Sequence, residues 1–204
     1  MSVLLVHSSS RIAGSFSREY AERLANGLAG EGGAVVTRDL LATSVPHLSS
    51  AMVFAIFTPD EALTEADRAE LALSDELIAE LLAADTIVIG VPTYNFTIPS
   101  SLKAWIDHVA RRGKTFRYKD NAPVGLAAGR TAYLVRTTGG IEIDGPMDFA
   151  TSYLKAILGF IGITDMHVLA IGKLAFGDEA VAASRAAAEA VISEMVVAGH
   201  PHMS

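Results

Sequence analysis

Ile87-Val88-Ile89-Gly90-Val91 constrains the fold of this chain more than any other stretch: four β-branched residues around one glycine, with no polar side chain among them. A short run that is apolar at every position suits a strand covered on both faces, as in a parallel sheet. Pro92 has no N–H to give to a ladder, so the strand is expected to end there. Beyond it Tyr94, Asn95 and Phe96 place an amide between two aromatics, and a helix begins over Ile98 to Ile106. Polar and aromatic groups therefore stand just past the carboxyl end of a buried strand, which is where open α/β sheets bind ligands.

The rest of the chain alternates in the same way. Val3–His7, Ala34–Thr37, Thr131–Thr137 and Met166–Ile171 read as further strands. Between them apolar residues fall at helical spacing: Tyr20, Leu24 and Leu28; Leu71, Ile78 and Leu81; Leu154, Ile157 and Leu158. An alanine-rich helix is expected from about Asp178 to Val197. Five strand–helix alternations, with no repeat and no linker in 204 residues, predict a single α/β domain over 1–204, a doubly wound five-stranded parallel sheet with helices on both faces. The order 2-1-3-4-5 is expected, because ligand-type loops follow the first, third and fourth strands and the switch point then lies between the first and third. Two connections read as irregular: the greasy stretch from Ala42 to Glu61, either a lid or interface piece or a flap over the protein's own core, and the segment from Thr115 to Gly125.

Composition removes several functions. Cysteine is absent, which excludes disulfides, thiolate nucleophiles and cysteine metal sites, so any redox chemistry must come from a cofactor. The net charge of −7 argues against nucleic acid as a partner. No apolar run approaches the ~20 residues of a membrane span, and the N-terminus lacks a basic signal region, so a cytoplasmic location is expected. His200 and His202 form an H-x-H pair in a tail where terminal disorder is the default, and no metal site is expected there or elsewhere. There is no G-x-S-x-G elbow and no G-x-G-x-x-G fingerprint. Gly125 to Thr131 falls one residue short of a P-loop and carries Arg130 in place of its lysine.

Three loops carry candidate chemistry. After the first strand, Ser8 to Arg18 is rich in hydroxyls and leads into a helix, whose free N–H groups and positive dipole end form an anion seat that Ser10, Ser15 and Ser17 could line and Arg11 could charge. Taken alone, the loop reads more readily as a helix cap. After the third strand come Tyr94, Asn95 and Phe96; after the fourth, Thr137, Thr138 and the paired Gly139-Gly140, which permit close backbone approach or a plain turn. A ligand with an anionic end and a flat, hydrogen-bonding end would use all three, and FMN has that shape.

These residues also carry a resemblance. Ser9-Ser10 with Ser15-Phe16-Ser17, Leu71 to Ile78, Tyr94-Asn95-Phe96, Leu102 to Asp107, Thr115 to Tyr118, Gly139-Gly140 with Asp144-Gly145-Pro146, and Leu158 to Ile163 together resemble the FMN-dependent NADH-azoreductases, also described as NADH:quinone oxidoreductases, across nearly the whole chain. The resemblance implies a flavodoxin-like fold and reduction of quinones and azo compounds by NADH or NADPH, through ping-pong two-electron hydride transfer by FMN. It implies that Ser10 and Ser15 to Ser17 hold the phosphate, that Pro92, Thr93, Tyr94, Asn95 and Phe96 line the ribityl chain and ring, and that Thr137 to Gly140 meet the ring's polar edge. Asn95, Phe116, Tyr118 and Phe160 are the implied substrate-pocket residues, though the three aromatics equally suit ordinary packing. No obligatory acid–base residue is implied, since the cofactor carries the hydride. Homodimers with sites at the subunit interface are implied as well. Two departures stand out: Thr93 where the family usually has Met, and Thr137-Thr138-Gly139-Gly140 where it usually has Ser-Arg-Gly-Gly. The alternative is a flavodoxin-like FMN electron carrier without small-molecule turnover. A receiver-type regulatory domain fits poorly, because Pro92-Thr93 stands where its phosphorylatable Asp belongs.

Overall fold

The computed structural model describes residues 1–199; the expectations for His200 and His202 lie outside them. Five parallel strands form the central sheet: β1 (Ser2–His7), β2 (Ala34–Asp39), β3 (Thr86–Pro92), β6 (Thr131–Thr137) and β7 (Asp165–Ile171). Their order is β2-β1-β3-β6-β7, which is the expected 2-1-3-4-5. The registers pair Leu5 with Val88 and Gly90 with Val135, so β3 lies between two neighbours and is buried along its whole length. Pro92 closes the strand opposite Thr137, as its missing N–H requires.

Side chains alternate between two cores. On one face Val3, Leu5, Val88 and Val135 meet α1 (Phe16–Ala29) and α6 (Asp178–Gly199). On the other Leu4, Val6, Ile87, Ile89 and Leu134 meet α3 (Glu65–Ala83), α4 (Ser100–Val109) and α5 (Phe149–Phe160), with Trp105 fully buried among them. Among the described residues, no helix is long and apolar enough to cross a membrane.

The structure corrects both irregular connections. Within Ala42 to Glu61 it forms α2 (Ser50–Phe57), capped by Ser49, whose hydroxyl accepts from the Met52 N–H at 3.0 Å. Met52 and Ala55 pack on Leu71 of α3 to make a small satellite core. Within Thr115 to Gly125, β4 (Phe116–Lys119) and β5 (Ala122–Gly125) pair as an antiparallel hairpin. Asp120 and Asn121 turn it with φ of 52° and 61°, the left-handed values that a two-residue hairpin needs.

Candidate functional site

The carboxyl ends of β1, β3 and β6 open onto one cleft, of about 210 Å³, which is lined by all three loops. Ser9, Arg11, Gly14 and Ser15 to Ser17 come from the first, Pro92 to Tyr94 from the second, and Thr137 to Gly139 from the third; Leu174 closes the far side.

Ser15 occupies the N-cap position of α1, yet its hydroxyl caps no backbone N–H. It donates to Ser9 Oγ at 3.0 Å and lies 3.2 Å from Ser17 Oγ. The three hydroxyls thus bond to one another, and the first-turn N–H groups of α1 are left for another acceptor. A helix N-terminus without a side-chain cap, ringed by serines and beside exposed Arg11, is a seat for an anion such as a phosphate.

This cradle is fixed from behind. Arg18 is buried and forks onto Asp39, with both contacts at 2.7 Å, while its Nη2 also donates to the Ser9 carbonyl at 2.9 Å. The Arg18 guanidinium, with help from the Leu41 N–H, holds the Asp39 carboxyl at about 2 against an ordinary 3.8, despite its burial. Ser8 Oγ donates to the Gly90 carbonyl at 2.6 Å, tying the loop to the central strand. Gly90 itself is needed for closeness: a Cβ there would stand 2.7 Å from the Ser17 carbonyl oxygen.

The second loop is a tight turn. The N–H and carbonyl groups of Tyr94 and Thr97 exchange hydrogen bonds of 3.0 and 3.1 Å, with Asn95 and Phe96 between them at φ of 48° and 69°. Asn accepts this conformation readily; Phe pays for it, so Phe96 stores backbone strain. The turn is anchored by the Thr93 N–H to the Thr137 carbonyl (2.8 Å) and by the Phe149 N–H to the Phe96 carbonyl (3.2 Å). Tyr94 lies at the junction of the serine cleft and an apolar depression of about 600 Å³ lined by Asn95, Ile98 and Tyr153. The serine cleft is smaller than the ~300 Å³ that holds most cofactors, so a ligand seated there must extend past Tyr94.

The third loop rests on a buried ion pair. Arg136 of β6 is completely buried and reaches Asp148, the N-cap of α5, at 2.8 Å. Burial pushes the Asp148 carboxyl up, but hydrogen bonds from the Thr151 hydroxyl and the Asp144 and Thr151 amides, together with the Arg136 charge, outweigh it and bring the group to about 2. Thr138 and Gly139 are held by the Leu174 and Ala175 amides, and Thr138 Oγ1 accepts from the Ile141 N–H.

Most of the residues expected to bind a cofactor therefore line one cleft. Asn95 faces the adjoining apolar depression, while Phe96 and Gly140 line another beside Pro146 and Met147. Ser10 is exposed and does not line the cleft; its neighbour Ser9 does. Phe116, Tyr118 and Phe160 are not brought to the cleft. They pack on one another, with Phe116 4.6 Å from Phe160 and 5.9 Å from Tyr118 between ring centres. Arg18 and Arg136 escaped the sequence reading. Arg136 interrupts the apolar run Tyr133 to Val135, which signals a buried charge needing a partner but not which one; Arg18, beside Glu19 and Glu22, carries no such signal.

Comparison with known proteins places this geometry. Residues 1–196 match the family model described as a flavodoxin-like fold. An FMN-dependent NADH:quinone oxidoreductase of Rhizobium etli is 45% identical over 203 residues, covering 97% of this chain and 100% of that protein. One from Agrobacterium fabrum is 44% identical, covering 96% and 98%. Among solved structures, the azoreductase AzrA superposes with a TM-score of 0.85 at 30% identity, over 95% of this chain and 100% of that one.

Proposed function

The chain belongs to the flavodoxin-like fold family, and from that footing we propose that it is an FMN-dependent NADH:quinone oxidoreductase that also accepts azo compounds. The observation that carries the reading is the serine cradle at the uncapped N-terminus of α1, which lines one cleft together with Tyr94 and Thr137 to Gly139. Relatives named for FMN, NADH and quinone support it over almost their whole length.

The residues present fit the cofactor. Ser9, Ser15 and Ser17 with the first-turn amides of α1 would hold a phosphate dianion, and Arg11 would add charge. Pro92 to Asn95 would line the ribityl chain and ring, and Thr137 to Gly140 the ring's polar edge. Bound FMN would supply two-electron hydride transfer, from the nicotinamide and then to the acceptor in alternating half-reactions. The protein's part is to seat, orient and exclude water, for which the strained Asn95-Phe96 turn and the two anchored loops provide a rigid frame.

We read the working form as a cytoplasmic homodimer. Phe54 and Phe57 of α2 stand 70% and 71% exposed, an apolar surface that a second copy would cover. Phe116, Tyr118 and Phe160 can wall an acceptor pocket only if they reach it from such a partner. A monomer by light scattering at working concentration contradicts this.

The function is tested by steady-state oxidation of NADH with a benzoquinone acceptor, with and without added FMN. Turnover that requires FMN supports the proposal. Tight FMN binding with negligible NADH oxidation points instead to an electron carrier.

A further inference from the structure

Arg136 reaches further than its ion pair. Its Nη2 donates to Thr93 Oγ1 at 3.1 Å, its Nη1 to the Val91 carbonyl at 2.9 Å, and its Nε to Thr151 Oγ1 at 2.9 Å. The guanidinium is fully buried, so its donors cannot turn to water. The Thr93 backbone is fixed too, through its N–H to the Thr137 carbonyl.

A threonine hydroxyl has one proton and two lone pairs. In Thr93 one lone pair is taken by a charged donor from the protein interior, and among the described residues the hydroxyl proton has no acceptor. With one lone pair engaged from the interior, the proton is left for a partner on the side of the cleft that Thr93 lines. A charged donor on the oxygen also polarises the hydroxyl and strengthens it as a donor in turn.

The geometry points to Thr93 as a fixed hydroxyl donor to an acceptor atom of the bound flavin, with Arg136 as the buried positioning residue that aims it. This rests on reading the cleft as an FMN seat. It narrows the part of a residue that the resemblance placed along the ribityl chain and ring, and where this chain departs from the family's usual Met, to one directed hydrogen bond, and it gives the buried pair a purpose besides stability. Asp148 balances the Arg136 charge, so what reaches the cleft is a directed hydrogen bond with no net charge behind it.

The test is FMN titration of the apoprotein, followed by flavin fluorescence, in four proteins: wild type, Thr93→Val, Thr93→Ser and Arg136→Lys. Thermal melts confirm that each is folded, and Thr93→Ala replaces the valine variant if that fails. Loss of one neutral hydrogen bond weakens binding about three- to tenfold. Thr93→Val should show that loss, Thr93→Ser should bind as wild type does, and Arg136→Lys should resemble valine. The double variant Thr93→Val/Arg136→Lys should bind no worse than either single one, because both remove the same bond. Equal FMN affinity in wild type and Thr93→Val overturns the inference and leaves the flavin reading intact. Fully additive losses in the double variant overturn the aiming role of Arg136. Failure of the wild type to bind FMN overturns both the inference and the reading beneath it.

Discussion

Gly90 joins the sheet to the cradle, so enlarging it tests how the fold sets the site. It lies on the β3 face that meets α1, where an added methyl would stand 2.7 Å from the Ser17 carbonyl oxygen and 3.3 Å from Ala21 Cβ. Comfortable contact begins near 3.5 Å, so the first turns of α1 must retreat by roughly 1 Å. The obstacle is backbone on a packed helix, which cannot simply rotate away. Overpacking of this kind costs about 1–3 kcal/mol, and the reduced freedom of the unfolded chain returns about 0.4–1 kcal/mol. Gly90→Ala is therefore expected to lose about 1–2 kcal/mol. With a urea dependence of about 2 kcal/mol per molar, the unfolding midpoint falls by about 0.5–1 M. The retreat also carries Ser15, Phe16 and Ser17, whose hydroxyls and amides form the anion seat, so FMN affinity should fall about tenfold. Urea melts and FMN titration read the two effects separately. A Gly90→Ala protein with an unchanged midpoint and unchanged FMN affinity would refute the reasoning that α1 is pressed against β3 and that this contact sets the cradle.

Three further outcomes are expected. Asp148→Ala strands the buried Arg136 charge and should cost about 3–5 kcal/mol in urea melts, and replacing both residues by apolar ones should restore much of it. The Asp148 carboxyl is held at about 2 against 3.8, so its ionised form contributes roughly 2 kcal/mol of stability. A depressed carboxyl gives that stability in full above about pH 4 and loses it as the pH falls from there through about 2; Asp148→Asn should flatten this limb of the acid-unfolding curve. Exposed Arg11, at the cleft rim, should matter for the phosphate alone: Arg11→Ala should weaken FMN several-fold, more so at low salt, and leave riboflavin affinity unchanged.

How far the sequence could be read depended on whether a feature was local. The sheet was legible because Ile87 to Val91 and its neighbours are apolar on both faces, and because Pro92 marks an end that the register opposite Thr137 bears out. That the loops after β1, β3 and β6 gather at one cleft was legible too, because turn and hydroxyl residues follow buried strands. The α2 helix was not, since Ser50 to Phe57 is apolar nearly all round and shows no periodic face; its cap at Ser49 is the one local clue. The β4–β5 hairpin was hidden by its four-residue strands and by Pro123 within one of them. Arg136 and Asp148 were each readable only as a strand residue and a helix start. Their pairing depends on α5 packing across the end of β6, which no local pattern encodes. The same holds for Ser15: the sequence left its loop between a helix cap and an anion seat, and only the folded loop bonds its side chain to Ser9 and Ser17.

The central claim, that this chain seats FMN and passes a nicotinamide's hydride through it, is tested most directly by anaerobic absorbance. The purified protein is loaded with FMN and freed of excess, then given NADH, then a benzoquinone. The account predicts a retained flavin spectrum, bleaching of the flavin band by NADH, and its return on addition of the quinone. A protein that retains no flavin, or whose bound flavin is bleached by neither NADH nor NADPH, would contradict it.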